Sequence, residues 1–152
     1  MAKEPKESKD AITDALSTLL ADSYTLYLKT HNYHWNVQGP MFMTLHTLFE
    51  TQYRELATAV DGIAERVRTL GAFAPGSYSA FAKLSKVKEE TGHPKAEEMI
   101  ANLVDDHKQV AKTAQKVVDL ANDNGDDATA DFATQRIESH QKAAWMLRSH
   151  LL

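Results

Sequence analysis

Residues 43–70 carry two stripes at once, and no other stretch restricts the fold as much. Leu45, Leu48, Phe49, Leu56, Ala59, Val60, Ile63, Val67 and Leu70 recur at helical spacing, and at about 100° per residue they make one broad apolar face. Wound on the same helix, His46, Glu50, Arg54, Ala57, Asp61 and Glu65 fall on a second stripe well away from the first. Burying the apolar face against the rest of the chain leaves the other face looking outward. The chain is therefore expected to be built from long amphipathic helices, with its chemically capable residues turned away from its own core.

Histidine and carboxylate together form a donor set for a divalent transition metal, iron especially. His46 and Asp61 stand fifteen residues apart, so roughly 22 Å of helix separates them and one ion cannot touch both within a subunit. Two copies of the helix, antiparallel about a twofold near Glu55 and Leu56, would set His46 and Glu50 of one chain opposite Asp61 and Glu65 of the other. Twofold pairing is the commonest association of identical chains. His34 lies as far before Pro40 as His46 lies after it, so a helical hairpin turning there brings the two level. Spacing alone leaves a plainer alternative open, because acids four residues apart also occur on ordinary solvated faces.

The rest of the chain reads as further helices. Residues 1–10 form a short polar tail in which Lys3, Lys6 and Lys9 alternate with Glu4, Glu7 and Asp10. Residues 11–152 form one domain, long enough for a substantial core. The first helix is expected from residue 8 or 10 to 35, with Ile12, Leu16, Leu19, Leu20 and Tyr27 on its buried face and Trp35 packed at its end. A turn at 36–40 uses Gly39 and Pro40. Gly71 stops the second helix, and a connection over 72–94 holds a short helix near 79–84. The third helix is expected over 94–122, with Pro94 at its first position. The last is capped by Asp126 or Asp127 and runs to about 149, with Trp145, Met146 and Leu147 as packing residues.

Composition narrows the classes. The chain has no cysteine, which removes disulfides and thiolate metal sites and fits a reducing cytoplasm. No apolar run approaches the span of a bilayer, and the start lacks the hydrophobic region of a signal peptide. A net charge of −4 argues against a surface devoted to nucleic acid. The tail's acids cancel its lysines, so it reads as a plain terminus, and those lysines are the only support for DNA contact.

Residues 30–71 resemble the Dps family, the DNA-protection-during-starvation proteins or miniferritins. The likeness rests on His34-Trp35-Asn36 with Gly39 after it, Leu45-His46 with Glu50, and Asp61 followed by Ala64-Glu65-Arg66 and Leu70-Gly71. These spacings fit without a gap, and a looser likeness extends over nearly the whole chain. The resemblance implies an all-α fold, a ferritin-like four-helix bundle with a short extra helix in the long crossover between helices two and three. It implies a twelve-subunit shell built from twofold dimers, with an iron-oxidising centre shared across each dimer interface. His34, His46, Asp61 and Glu65 would carry the ferroxidase reaction, and Glu50 would serve a second iron. The family often has Asp where this chain has Glu50, so the extra methylene bears on that second position. Fe(II) is then the substrate, hydrogen peroxide or dioxygen the oxidant, and no organic cofactor is expected. Such a protein would be cytoplasmic, and nucleoid-associated where it holds DNA.

Several other residues carry readings of their own. Acidic residues near the turn between helices three and four line iron-admitting pores in the family, which makes Asp126, Asp127 and Asp131 the pore candidates, beside a helix-capping reading. His31 reads as a surface or interface histidine, with an auxiliary ligand as the alternative. His107 and His140 fall on core faces with no acid in phase and read as core or interface histidines. Glu90 and His93 match a Glu-x-x-His spacing, but Gly92 and Pro94 place them in a loop. Two rival functions remain at this stage, a nucleoid-binding module and a shell that sequesters zinc or another divalent ion without catalysis.

Overall fold

The computed structural model describes residues 5–152, with side chains from Lys9 onward. Five helices follow in order: α1 Pro5–Asn36, α2 Phe42–Thr69, α3 Tyr78–Leu84, α4 Ala96–Asp123 and α5 Asp127–Arg148, with a closing 3-10 turn over Ser149–Leu151. Helix α1 begins earlier than the sequence indicates, because Pro5 suits a first helical position. Residues 1–4 of the expected tail lie outside the described residues. Pro94 sits before the Lys95 cap rather than inside α4. Among the described residues no helix is long and apolar enough to cross a membrane.

Two helical hairpins, α1/α2 and α4/α5, pack into a four-helix bundle. Their ends explain why they stop where they do. After α2, Gly71 takes φ 97°, Ala72 N donates to Val67 O at 3.3 Å and Gly71 N to Arg68 O at 3.0 Å. This double closure consumes the last free carbonyls and needs a left-handed residue. Gly125 repeats it after α4 at φ 69°, where Asp126 N reaches Ala121 O at 2.9 Å. Asp126 then accepts from Thr129 N at 3.1 Å and caps α5.

Side-chain pairs fix the helix directions. Gln52 donates to Ala143 O, Arg136 to Glu55 and Arg66 to Thr129, so α2 and α5 run antiparallel. Thr113 donates to Asp22 and Lys29 pairs with Asp106 at 2.9 Å, so α1 and α4 do too. The crossover over residues 70–95 therefore spans the bundle and makes α2 and α4 parallel. Buried Asp22 pins it by accepting from Lys86 N at 2.6 Å and from the Ser85 hydroxyl. Tyr33 donates to Glu90, which also accepts from Gly92 N. Glu90 is thus a loop anchor, while His93 is exposed.

The core is continuous from Leu16, Leu19 and Leu26 through Leu45, Phe49, Leu56 and Ile63 to Ile100, Leu103 and Val110. Leu56 is 2% exposed, in the core as its apolar stripe implies, so it does not line a twofold. Trp35, Trp145 and Met146, expected as packing residues, are exposed at 58%, 59% and 37%. Helix α5 buries Ala133, Arg136, His140, Ala144 and Leu147, and Trp145, about 100° around the helix from Ala144, falls outside that face.

Candidate metal centre

The α1/α2 hairpin brings His34 and His46 face to face, with ring centroids 3.8 Å apart and planes within 14°. Each Nδ1 lies 2.7 Å from the other residue's carbonyl oxygen. A carbonyl only accepts, so both Nδ1 atoms carry a proton, and in the neutral imidazole Nε2 is then the nitrogen with the lone pair. No protein partner takes either Nε2 among the described residues. Two lone pairs are thus set in place by backbone bonds, the arrangement by which outer hydrogen bonds orient metal-binding histidines. Phe42 stacks on His46 at 5.0 Å and covers that end of the pair.

Glu50, one turn beyond His46, is within electrostatic reach of both imidazoles. It accepts from Arg54 at 3.1 Å. The Arg54 guanidinium holds the Glu50 carboxyl below the usual carboxylate range. Arg54 in turn lies over the Tyr53 ring, 5.6 Å from its centroid. His31 is sandwiched between Trp35 at 4.0 Å and Tyr53 at 4.1 Å. Burial and the neighbouring His34 push its pKa down.

Asp61 and Glu65 do not join this group. Both are exposed on α2, about four and about five turns of helix from His46. No set of three or more His, Cys, Asp or Glu side chains converges on a metal position among the described residues of one chain. The single subunit therefore presents two imidazole nitrogens and one carboxylate at one end of the outer stripe, and two further carboxylates at the other.

The three pore candidates part company. Asp126 has both oxygens engaged: Oδ1 takes Thr129 N and Arg66 at 3.4 Å, Oδ2 takes the Thr129 hydroxyl at 2.6 Å. Asp127 is exposed in the first turn of α5, and Asp131 is exposed with Gln135 donating to it at 3.0 Å.

His107 and His140 are buried together in the bundle, with Nδ1 atoms 2.8 Å apart. Arg136 Nη2 donates to His140 Nε2 at 3.3 Å, so His140 carries its proton on Nδ1 and donates to His107 Nδ1. His107 Nε2 is then an N–H, buried without a partner. Burial, and the adjacent guanidinium, push His107 down to about 3, and His140 moves the same way. A fixed positive charge at this position opposes a bound cation. Arg136 also grips Glu55 through both carboxylate oxygens at 2.7 and 3.0 Å. Sequence reading missed this chain, because Arg136 looks like a surface residue until α5 is seen to bury it.

Long antiparallel hairpins, a bundle-spanning crossover and paired histidines beside a carboxylate stripe define a protein of the ferritin-like class, and the family described as "Ferritin-like domain" matches residues 13–152. The chain belongs, within that class, to the Dps family. It is 36% identical to the "DNA protection during starvation protein" of Brevibacillus brevis, over 90% of this chain and 91% of that one. A low temperature-induced protein of Nostoc is 46% identical over 95% of this chain and 82% of its own length. The Dps protein of Vibrio cholerae O1, described as a member of a broad superfamily of ferritin-like diiron-carboxylate proteins, superposes with a TM-score of 0.92 at 31% identity, covering 100% of this chain and 98% of that one.

Proposed function

We propose that the protein is a ferroxidase that oxidises Fe(II) at sites shared by two subunits and stores the ferric product inside a hollow shell of twelve. The observation that carries this is the His34–His46 pair. Its two Nε2 atoms are aimed by reciprocal backbone bonds at Nδ1, yet among the described residues no acids of the same chain complete a coordination sphere with them. An antiparallel copy of α2 would bring Asp61 and Glu65 to this end of the stripe. His34, His46, Asp61 and Glu65 would then bind the first iron, with Glu65 as a bridge and Glu50 serving the second. The diiron-carboxylate description of the Vibrio cholerae relative supports iron as the substrate.

Hydrogen peroxide, the usual oxidant in the family, accepts one electron from each of two Fe(II) ions. With two protons its O–O bond breaks to give two waters, and no hydroxyl radical is released to reach DNA. Protection would thus be chemical, in the cytoplasm and near the nucleoid. Direct DNA contact has weaker support, since the acids Glu4, Glu7 and Asp10 offset the tail lysines Lys3, Lys6 and Lys9. Asp127 and Asp131 are the better candidates for an iron entry pore, because Asp126 is engaged as a cap.

Subunit complementation tests the shared site. His46→Ala and Asp61→Ala proteins should each assemble and each lose rapid oxidation, followed by ferric absorbance after Fe(II) and peroxide are mixed. Co-assembled one to one, half the dimers are mixed, and each mixed dimer regains one intact site. About a quarter of the wild-type rate should return. Sites confined to single subunits would return none. A flat trace in the metal-free wild type would favour sequestration of zinc or another divalent ion.

A further inference from the structure

We propose that Arg54 lowers the affinity of the second metal position by placing its positive charge beside Glu50, the carboxylate that an incoming cation must share. The inference rests on the metal-centre reading above. Glu50 is the one carboxylate on the histidine-bearing half of the stripe, so the second position depends on it as the first does not. Arg54 Nη2 occupies Glu50 Oε1 at 3.1 Å. Its guanidinium is steadied over Tyr53, which is 9% exposed and stacked on His31 with planes within 15°. The ring of Tyr53 and the Glu50 carboxylate together keep the charge close to the second position.

Two effects follow, and they differ in size. The ion pair is exposed, 70% for Arg54 and 39% for Glu50, so breaking it costs little. Repulsion between a guanidinium and a dication one helical turn away is the larger effect, on the order of tenfold in affinity. His46 stands a turn further from Arg54 than Glu50 does, so the first position feels less of it. Each site should then fill in two unequal steps, the second only when metal is plentiful.

The test uses zinc, which is redox-inert, titrated calorimetrically into the assembled metal-free protein. Arg54→Gln and Arg54→Thr should leave the first zinc unchanged and tighten the second about tenfold. Arg54→Lys should keep the second weak, and Glu50→Gln combined with Arg54→Gln should abolish it. An unchanged second step in both neutral variants, or the same gain in Arg54→Lys, would overturn the assignment. Loss of assembly in both neutral variants, with assembly kept in Arg54→Lys, would make Arg54 an interface residue and also overturn it. Absence of the first, tight zinc in the wild type would instead defeat the metal-centre reading.

Discussion

The buried His107–His140 pair should make the protein acid-labile by a calculable amount. His107 is held neutral, with its pKa pushed down to about 3 by burial and then by Arg136. An unfolded histidine titrates near 6.5. A depressed folded-state value means that only the unfolded chain takes up a proton as pH falls below 6.5. The stabilisation is thus complete above that pH and is lost progressively toward about 3. By pH 5 the unfolded state has gained about 2 kcal/mol from this one group, and His140 adds in the same direction. The measurement is urea unfolding of metal-free protein at fixed concentration, at pH 7.5 and pH 5. His107→Gln is the reference, since its side-chain carbonyl can still accept from His140 without titrating. Wild type should lose about 2 kcal/mol more than His107→Gln over this interval. Equal losses in the two proteins would refute the burial of a neutral His107 as the source of the acid lability.

Asp126→Ala should cost about 1–2 kcal/mol, from the lost α5 cap and the partner removed from Arg66, with iron uptake unchanged. Uptake slowed as much as in the pair Asp127→Asn and Asp131→Asn would return Asp126 to the pore. That pair should slow uptake while moving stability by less than about 0.5 kcal/mol. Leu56→Asp should unfold the subunit, costing more than about 4 kcal/mol by burying a charge in the core. Folded monomers seen by circular dichroism and light scattering would instead put Leu56 at the interface.

Much of the architecture was legible because helical spacing and glycine stops are local signals. The second helix, expected over 43–70, is observed as Phe42–Thr69, and its end is written in the single residue Gly71. The short helix expected near 79–84 is Tyr78–Leu84, begun by a Ser77 hydroxyl that accepts from Ala80 N. What could not be read were contacts between segments far apart in the chain. Arg66 with Asp126, Arg136 with Glu55, and Lys29 with Asp106 all join residues more than fifty positions apart. The Arg54–Glu50 pair, by contrast, has i,i+4 spacing and was visible all along. The reciprocal bonds between His34 and His46 depend on where the turn places two carbonyls, which residue identity does not encode.

Of the two residues that spacing alone placed at the twofold, Leu56 is in the core and Glu55 is exposed but tied to Arg136 of α5, and this changes where an axis can lie. The outward positions at the middle of α2 are Arg54, Glu55, Ala57 and Thr58. An axis passing them still carries the ends of the stripe past each other, since it shifts the facing surface around the helix and not along it. His46 and Glu50 of one chain would still meet Asp61 and Glu65 of the other. Ala57, the small residue in that row, would then allow the two backbones to approach, while each Arg54 sits near the axis beside the Glu50 it restrains. Closing the dimer and loading the second metal position would thus draw on the same few residues, which is why the zinc titration must be read on assembled protein.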